Sequence, residues 1–146
     1  MRHSTDRILT THVGSLPRSQ AVTDVVFARE QGKPEPPDGA GIITRAVEEV
    51  VRRQVEAGID VVSDGELSKP GFSTYIEGRF DGFAGRSEFQ ADDVALFPNL
   101  AMRLFATDSM AHVVFSNCVG PVSLKDGDAV HRDIATLKRA LDGADF

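Results

Sequence analysis

Residues 42–66 read IITRAVEEVVRRQVEAGIDVVSDGE, and the fold class follows from the change of period inside this stretch. From Ile42 to Ala57 the residues Ile43, Ala46, Val47, Val50, Val51, Gln54 and Val55 mark one helical face, while Glu48, Glu49, Arg52, Arg53 and Glu56 lie mostly opposite. Gly58 is placed to stop the helix, because a left-handed residue after the last turn satisfies orphan carbonyls and glycine adopts that conformation without a Cβ penalty. Ile59-Asp60-Val61-Val62-Ser63 follows at once and reads as a buried parallel strand. A helix entering a strand through one glycine is the joint of a βαβ unit.

Outward from this joint, short apolar runs alternate with segments of helical period, the pattern of an α/β protein. Upstream, Ile8 to Val13 reads as a strand that stops at Gly14-Ser15-Leu16-Pro17, and Ser19 to Glu30 reads as a helix with Val22, Val25, Val26 and Arg29 on one side. Gln31 to Ala40 carries Pro34, Pro36 and Pro37 and is expected to be an exposed loop. Downstream, Lys69 to Asp92 is rich in glycine and phenylalanine (Phe72, Phe80, Phe83, Phe89), and is expected to be an ordered insertion whose aromatics pack onto a barrel mouth. A helix is expected over Pro98 to Phe105, with Leu100, Leu104 and Phe105 sharing a face. Two extended stretches are expected at His112 to Ser116 and Cys118 to Leu124, the second broken by Gly120-Pro121. The last helix, Asp128 to Leu141, has Val130, Ile134, Leu137 and Leu141 on one face, Lys138 and Arg139 suiting its C-terminal dipole, and Gly143 to end it. The expected architecture is α/β: the N-terminal portion of a (β/α)8 TIM barrel, about three βα units with the Phe/Gly-rich segment inserted. Since a whole barrel takes eight units and about 250 residues, residues 1–146 are expected to form a partial domain, truncated at its C-terminus, with an open sheet edge.

The composition is that of an ordinary globular domain, 41% apolar and 26% charged over 146 residues. A net charge of −6 and the lack of any basic stripe speak against a nucleic-acid partner. A single cysteine, Cys118, permits no internal disulfide and fits a reducing compartment. The polar first residues supply no signal-peptide core, and the apolar runs fall far short of a membrane span. No membrane partner is expected, and the reading is cytoplasmic.

In a parallel α/β barrel the reacting groups sit where strands end. Two such ends stand out. In Thr11-His12-Val13-Gly14-Ser15-Leu16-Pro17-Arg18, a glycine turn exposes the Ser15 hydroxyl and N–H beside Arg18, which suits a carboxylate; the plainer alternative is a strand end closed by a turn, with Arg18 solvated. In Ile59 to Lys69 the run delivers Asp64 and Glu66 around one glycine. These acids suit an ammonium group, a metal, or acid–base work, and serve equally as a helix cap or surface turn.

Together the two segments resemble the cobalamin-independent methionine synthase family, at the start of its C-terminal catalytic barrel and in its shorter single-barrel relatives. Tyr75-Ile76-Glu77-Gly78-Arg79-Phe80-Asp81-Gly82-Phe83 and Cys118-Val119-Gly120-Pro121-Val122-Ser123-Leu124 extend the likeness in the same order, over nearly the whole chain but only the N-terminal part of the barrel. The resemblance implies a methyltransferase in which zinc turns a thiol into a thiolate that attacks a methyl carried on a folate nitrogen, 5-methyltetrahydrofolate, with homocysteine as the acceptor. It implies Ser15 for the amino-acid carboxylate and Glu66 for the amino group, with His12, where the long synthases have threonine, also near substrate. Arg18 and Asp64 complete the candidate substrate-binding set, and no catalytic residue is assigned. The family's zinc ligands, a histidine, cysteines and in the synthases a glutamate, belong to later strands with no counterpart here, so this chain alone is expected to lack a complete centre. Cys118 falls beside the Gly-Pro motif, where the family has no ligand, and reads as a small buried residue. His3, His112 and His131 have no metal-ligand spacing and read as structural or solvated.

Two other readings share these residues. An alkyl-thiol transferase of the same superfamily, joining an epoxide to coenzyme M, would use the same barrel, but its sulfonate thiol offers no ammonium to Glu66. A truncated barrel that binds ligand or self-associates through its open edge without catalysis would explain the missing zinc ligands.

Overall fold

The glycine joint is where local chemistry is most legible. In the computed structural model, which describes residues 3–87, 96–105 and 115–142, helix α2 spans Gly39–Glu56. Gly58 follows it at φ +75°. Its N–H reaches the Val55 carbonyl at 2.9 Å, and the Ile59 N–H reaches the Gln54 carbonyl at 2.9 Å. This pair of bonds is a Schellman cap; the expected stop is in place and turns the chain directly into the next segment.

The chain divides into two compact units, one running to Pro70 and resuming at Asp128, the other spanning Gly71–Gly127. In the first, α1 (Gln20–Glu30) begins at Ser19, whose side chain accepts the Val22 N–H at 3.4 Å. Val22, Val25 and Val26 of α1 pack with Ile43, Val47 and Val51 of α2 and with Leu67, all at most 6% exposed. Leu137, Ala140 and Leu141, at the end of the C-terminal helix Asp128–Leu141, add to this core, and Arg139 pairs with Glu48 at 3.0 Å. Val130 and Ile134 were expected on the same apolar face, yet they are 48% and 45% exposed. Their half of the stripe is left open while Ala129 beside them is buried.

The two runs read as parallel strands, Ile8 to Val13 and Ile59 to Ser63, meet at one parallel bridge, Thr11 to Val61, instead of a ladder. Side chains occupy the positions a ladder would use. The Thr10 N–H goes to the Asp60 carboxylate at 2.9 Å, the Leu9 N–H to the Ser4 hydroxyl at 3.2 Å, and the Ser63 N–H to the Gln54 amide oxygen at 3.0 Å. Nor is the second run buried: Val61 is 51% exposed.

In the second unit the inserted segment forms α3 (Phe72–Glu77) and strand β1 (Phe80–Ser87), followed by α4 (Pro98–Phe105) and β2 (Phe115–Leu124). The C-terminal helix of the first unit is therefore α5. The helix expected from Pro98 is present with the same ends. The two stretches expected around Asn117 are one strand from Phe115 onward, and it pairs antiparallel with β1. Gly120-Pro121 does not break it, because the register shifts between the Asp81–Ser123 and Phe83–Cys118 pairs and lets the proline sit in a bulge. Gly82 faces that bulge at φ +91°, where a Cβ would stand 2.5 Å from the Pro121 carbonyl oxygen. The only sheet among the described residues is this two-stranded one, so what the structure defines is a mixed helix and strand α/β fragment. His112, Phe89, Gly143 and the end of the expected insertion lie outside the described residues.

Candidate functional site

Beyond the joint, Asp64-Gly65-Glu66-Leu67 forms a tight turn built by its own side chains and two glycine-permitted angles. Asp64 accepts the Glu66 N–H at 2.9 Å with one oxygen and the Lys69 ammonium at 2.8 Å with the other. The first contact is an Asx-turn, the second an ion pair in which both side chains are at most 25% exposed. Gly65 sits at φ +62°, and a Cβ there would meet Leu16 Cδ1 at 2.9 Å. That close approach lets the Leu16 N–H donate to the Gly65 carbonyl at 2.9 Å, so the first strand end is laid against the second turn. Glu66 itself lies at φ +54°, a left-handed conformation costing a non-glycine residue about 1–2 kcal/mol. Strain of this kind concentrates where a side chain must be aimed.

The carboxylate so aimed meets the first segment. The Ser15 hydroxyl donates to Glu66 Oε2 at 2.6 Å across 51 positions of sequence. Arg18 strengthens the junction by a different route from that expected: its Nη2 donates to the backbone carbonyls of Glu66 at 3.0 Å and Lys69 at 2.5 Å. It is half-buried, and its Nε has no partner. Arg18 is thus neither solvated nor a bare cation beside Ser15; it clasps the acidic turn. His12 folds back on its own loop, with Nε2 3.0 Å from the Gly14 carbonyl oxygen. Ser15, Arg18, Thr23, Phe27 and Pro70 are among the residues lining a cavity of about 370 Å³, the lower end of small-ligand pocket size. Glu66 is not in that lining and reaches its rim through the Ser15 hydroxyl.

The anchors of this arrangement are residues that the sequence reading did not single out. The Asp60 carboxylate binds the Arg7 guanidinium and both the N–H and the hydroxyl of Thr10, the last at 3.1 Å. Arg7, foremost, then the Thr10 N–H hold the Asp60 carboxyl well below the usual carboxylate range. A signal was available: an acid set among Ile59, Val61 and Val62 needs a partner. Gln54 is a second such residue, a polar side chain on the apolar face of α2 and only 6% exposed.

Among the described residues no three His, Cys, Asp or Glu side chains come together in a group able to hold a metal. Cys118, expected to be buried, is exposed on β2, while His3 and His131 are exposed as expected. The described residues therefore do not fit zinc.

The cobalamin-independent synthase catalytic-domain family matches residues 8–94, a span covering both strand ends, and the chain belongs to that family. A methionine synthase of Sulfolobus acidocaldarius is 35% identical over 74 residues, 51% of this chain. The match covers 22% of that relative, so the chain spans about a fifth of the curated protein it resembles. No solved structure matches. Within the described residues no helix is long and apolar enough to cross a membrane.

Proposed function

We propose that this chain supplies the amino-acid-holding part of a methionine-synthase-like methyltransferase. In this reading residues 1–146 are the front of a (β/α)8 barrel, with the Thr11–Val61 bridge as the remnant of its first strand pairing. The substrates are homocysteine and a folate methyl donor, 5-methyltetrahydrofolate, and the overall reaction transfers the methyl group to the homocysteine sulfur. Glu66 receives the ammonium group and Ser15 the carboxylate. Asp64 shapes the turn, Arg18 fixes it to the first strand end, and His12 closes the loop beside it. The zinc that makes the thiol nucleophilic in the family finds no donor group among the described residues.

One observation carries this reading. The two residues that the family resemblance assigns to opposite ends of an amino acid stand 2.6 Å apart, each satisfying the other. An α-amino acid entering between them exchanges one hydrogen bond for a charge-assisted contact at each end. An anionic sulfonate thiol gives Glu66 nothing to pair with, which disfavours the alkyl-thiol transferase.

Calorimetric titration of the 146-residue chain with homocysteine and with coenzyme M tests the proposal. Homocysteine is expected to bind, and Glu66→Gly to abolish that binding while the melting temperature holds or rises, because glycine relieves the left-handed backbone. Preference for coenzyme M, or homocysteine binding unchanged in Glu66→Gly, rejects the substrate assignment. A complete absence of binding to either thiol leaves the non-catalytic reading standing.

A further inference from the structure

Gln54 is a polar residue buried as a whole in the helical core, 6% exposed, and both ends of its amide are engaged. Nε2 donates to the Val50 carbonyl at 3.0 Å and to the Ser63 carbonyl at 2.8 Å, while Oε1 accepts the Ser63 N–H at 3.0 Å. Binding both the N–H and the C=O of one residue is what a neighbouring strand does in a ladder, so the side chain stands in for a missing strand at that point. The same residue's backbone carbonyl takes the Ile59 N–H at 2.9 Å. Gln54 therefore holds the segment from Ile59 to Ser63 at both ends. Ser63 passes the constraint on, since its hydroxyl accepts the Gly65 N–H at 3.3 Å, next to the strained Glu66.

We propose that Gln54 is a positioning residue for Glu66: from inside the helical core it fixes Ser63, the point from which the Asp64-Gly65-Glu66 turn departs. The role of Glu66 toward an amino acid rests on the function proposed above; the mechanical link from Gln54 to the turn does not. An apolar residue at position 54 would leave the Ser63 N–H and C=O without these bonds, at the cost of their desolvation, so the glutamine serves the backbone it holds and not the packing around it. What an apolar residue cannot do is grip a backbone N–H and C=O together.

The test is amide hydrogen exchange of the isotopically labelled 146-residue chain, with Gln54→Met as the variant because it preserves volume. A positioning role predicts that the Ser63, Gly65 and Glu66 amides accelerate at least about tenfold more than those of Val25, Val47 and Val51 in the core, which report the change in global stability. Uniform acceleration of both sets, or no change in the turn, overturns it. Ser63→Ala guards against a misfolded variant: it keeps the grip on the backbone, removes only the hydroxyl acceptor, and is expected to accelerate Gly65 alone. An unchanged Gly65 amide overturns the relay. Homocysteine titration of the Gln54→Met chain adds a functional arm, with binding expected to weaken about tenfold. If the unsubstituted chain does not bind homocysteine, the proposed function fails, and the exchange data still decide the positioning role.

Discussion

Asp60 shows how one side chain can hold a chain segment in place of a ladder. Its side chain is 4% exposed, and it ties Arg7 and Thr10 to the start of the second run. Because Arg7 first, and then Thr10, lower its pKa below the ordinary 3.8, the folded state favours the ionised carboxylate. The stabilisation is complete above that ordinary value and is lost as pH falls toward the lower folded one. Arg7 is 62% exposed, so solvent screens much of the ion pair and the N–H contact matters comparably. The Thr10 and Asp60 amide resonances are expected to move together in an acid titration below about pH 4, and Asp60→Asn to remove that transition. An unchanged titration in the variant would show that another group governs the segment.

At the level of elements, the helices were legible and the strands less so. The period of α2 and the glycine after it lie within a few residues of each other, and Pro98 and Asp128 mark helix starts through local chemistry alone. Strand pairing depends on partners distant in sequence, and here Asp60 and Gln54 take positions that an apolar reading assigned to backbone. Ser15 and Glu66 were legible as a pair only through family likeness; the clasp by Arg18 was not, because nothing local shows that an arginine will seek two carbonyls. The β1–β2 pairing turned on Gly82, whose φ of +91° and closeness to the Pro121 carbonyl leave no room for a side chain. Gly82→Ala is expected to destabilise the second unit by about 2–3 kcal/mol through steric overlap and backbone strain. Denaturant unfolding followed at the Phe83 and Cys118 amides measures this; a loss under about 0.5 kcal/mol would mean the bulge can simply rearrange.

For the whole molecule, the family match runs from residue 8 to residue 94 and so crosses from one compact unit into the other. Around the single parallel bridge, Ile8 and Val13 are each 86% exposed and Val61 51%. Exposed apolar side chains clustered in this way favour association with another apolar surface. Sedimentation velocity is expected to show concentration-dependent self-association, and Val13→Lys with Val61→Lys to shift the chain toward monomer by about tenfold in dissociation constant. Monomeric behaviour at all concentrations would remove these residues as a partner surface. The bracket formed by Gln54 carries a separate consequence for sequence change. Ser63 lies nine positions beyond Gln54, and both ends of the intervening chain are attached to that one residue. One inserted or deleted amino acid between them would detach one end or the other, so this stretch can vary in residue type far more readily than in length.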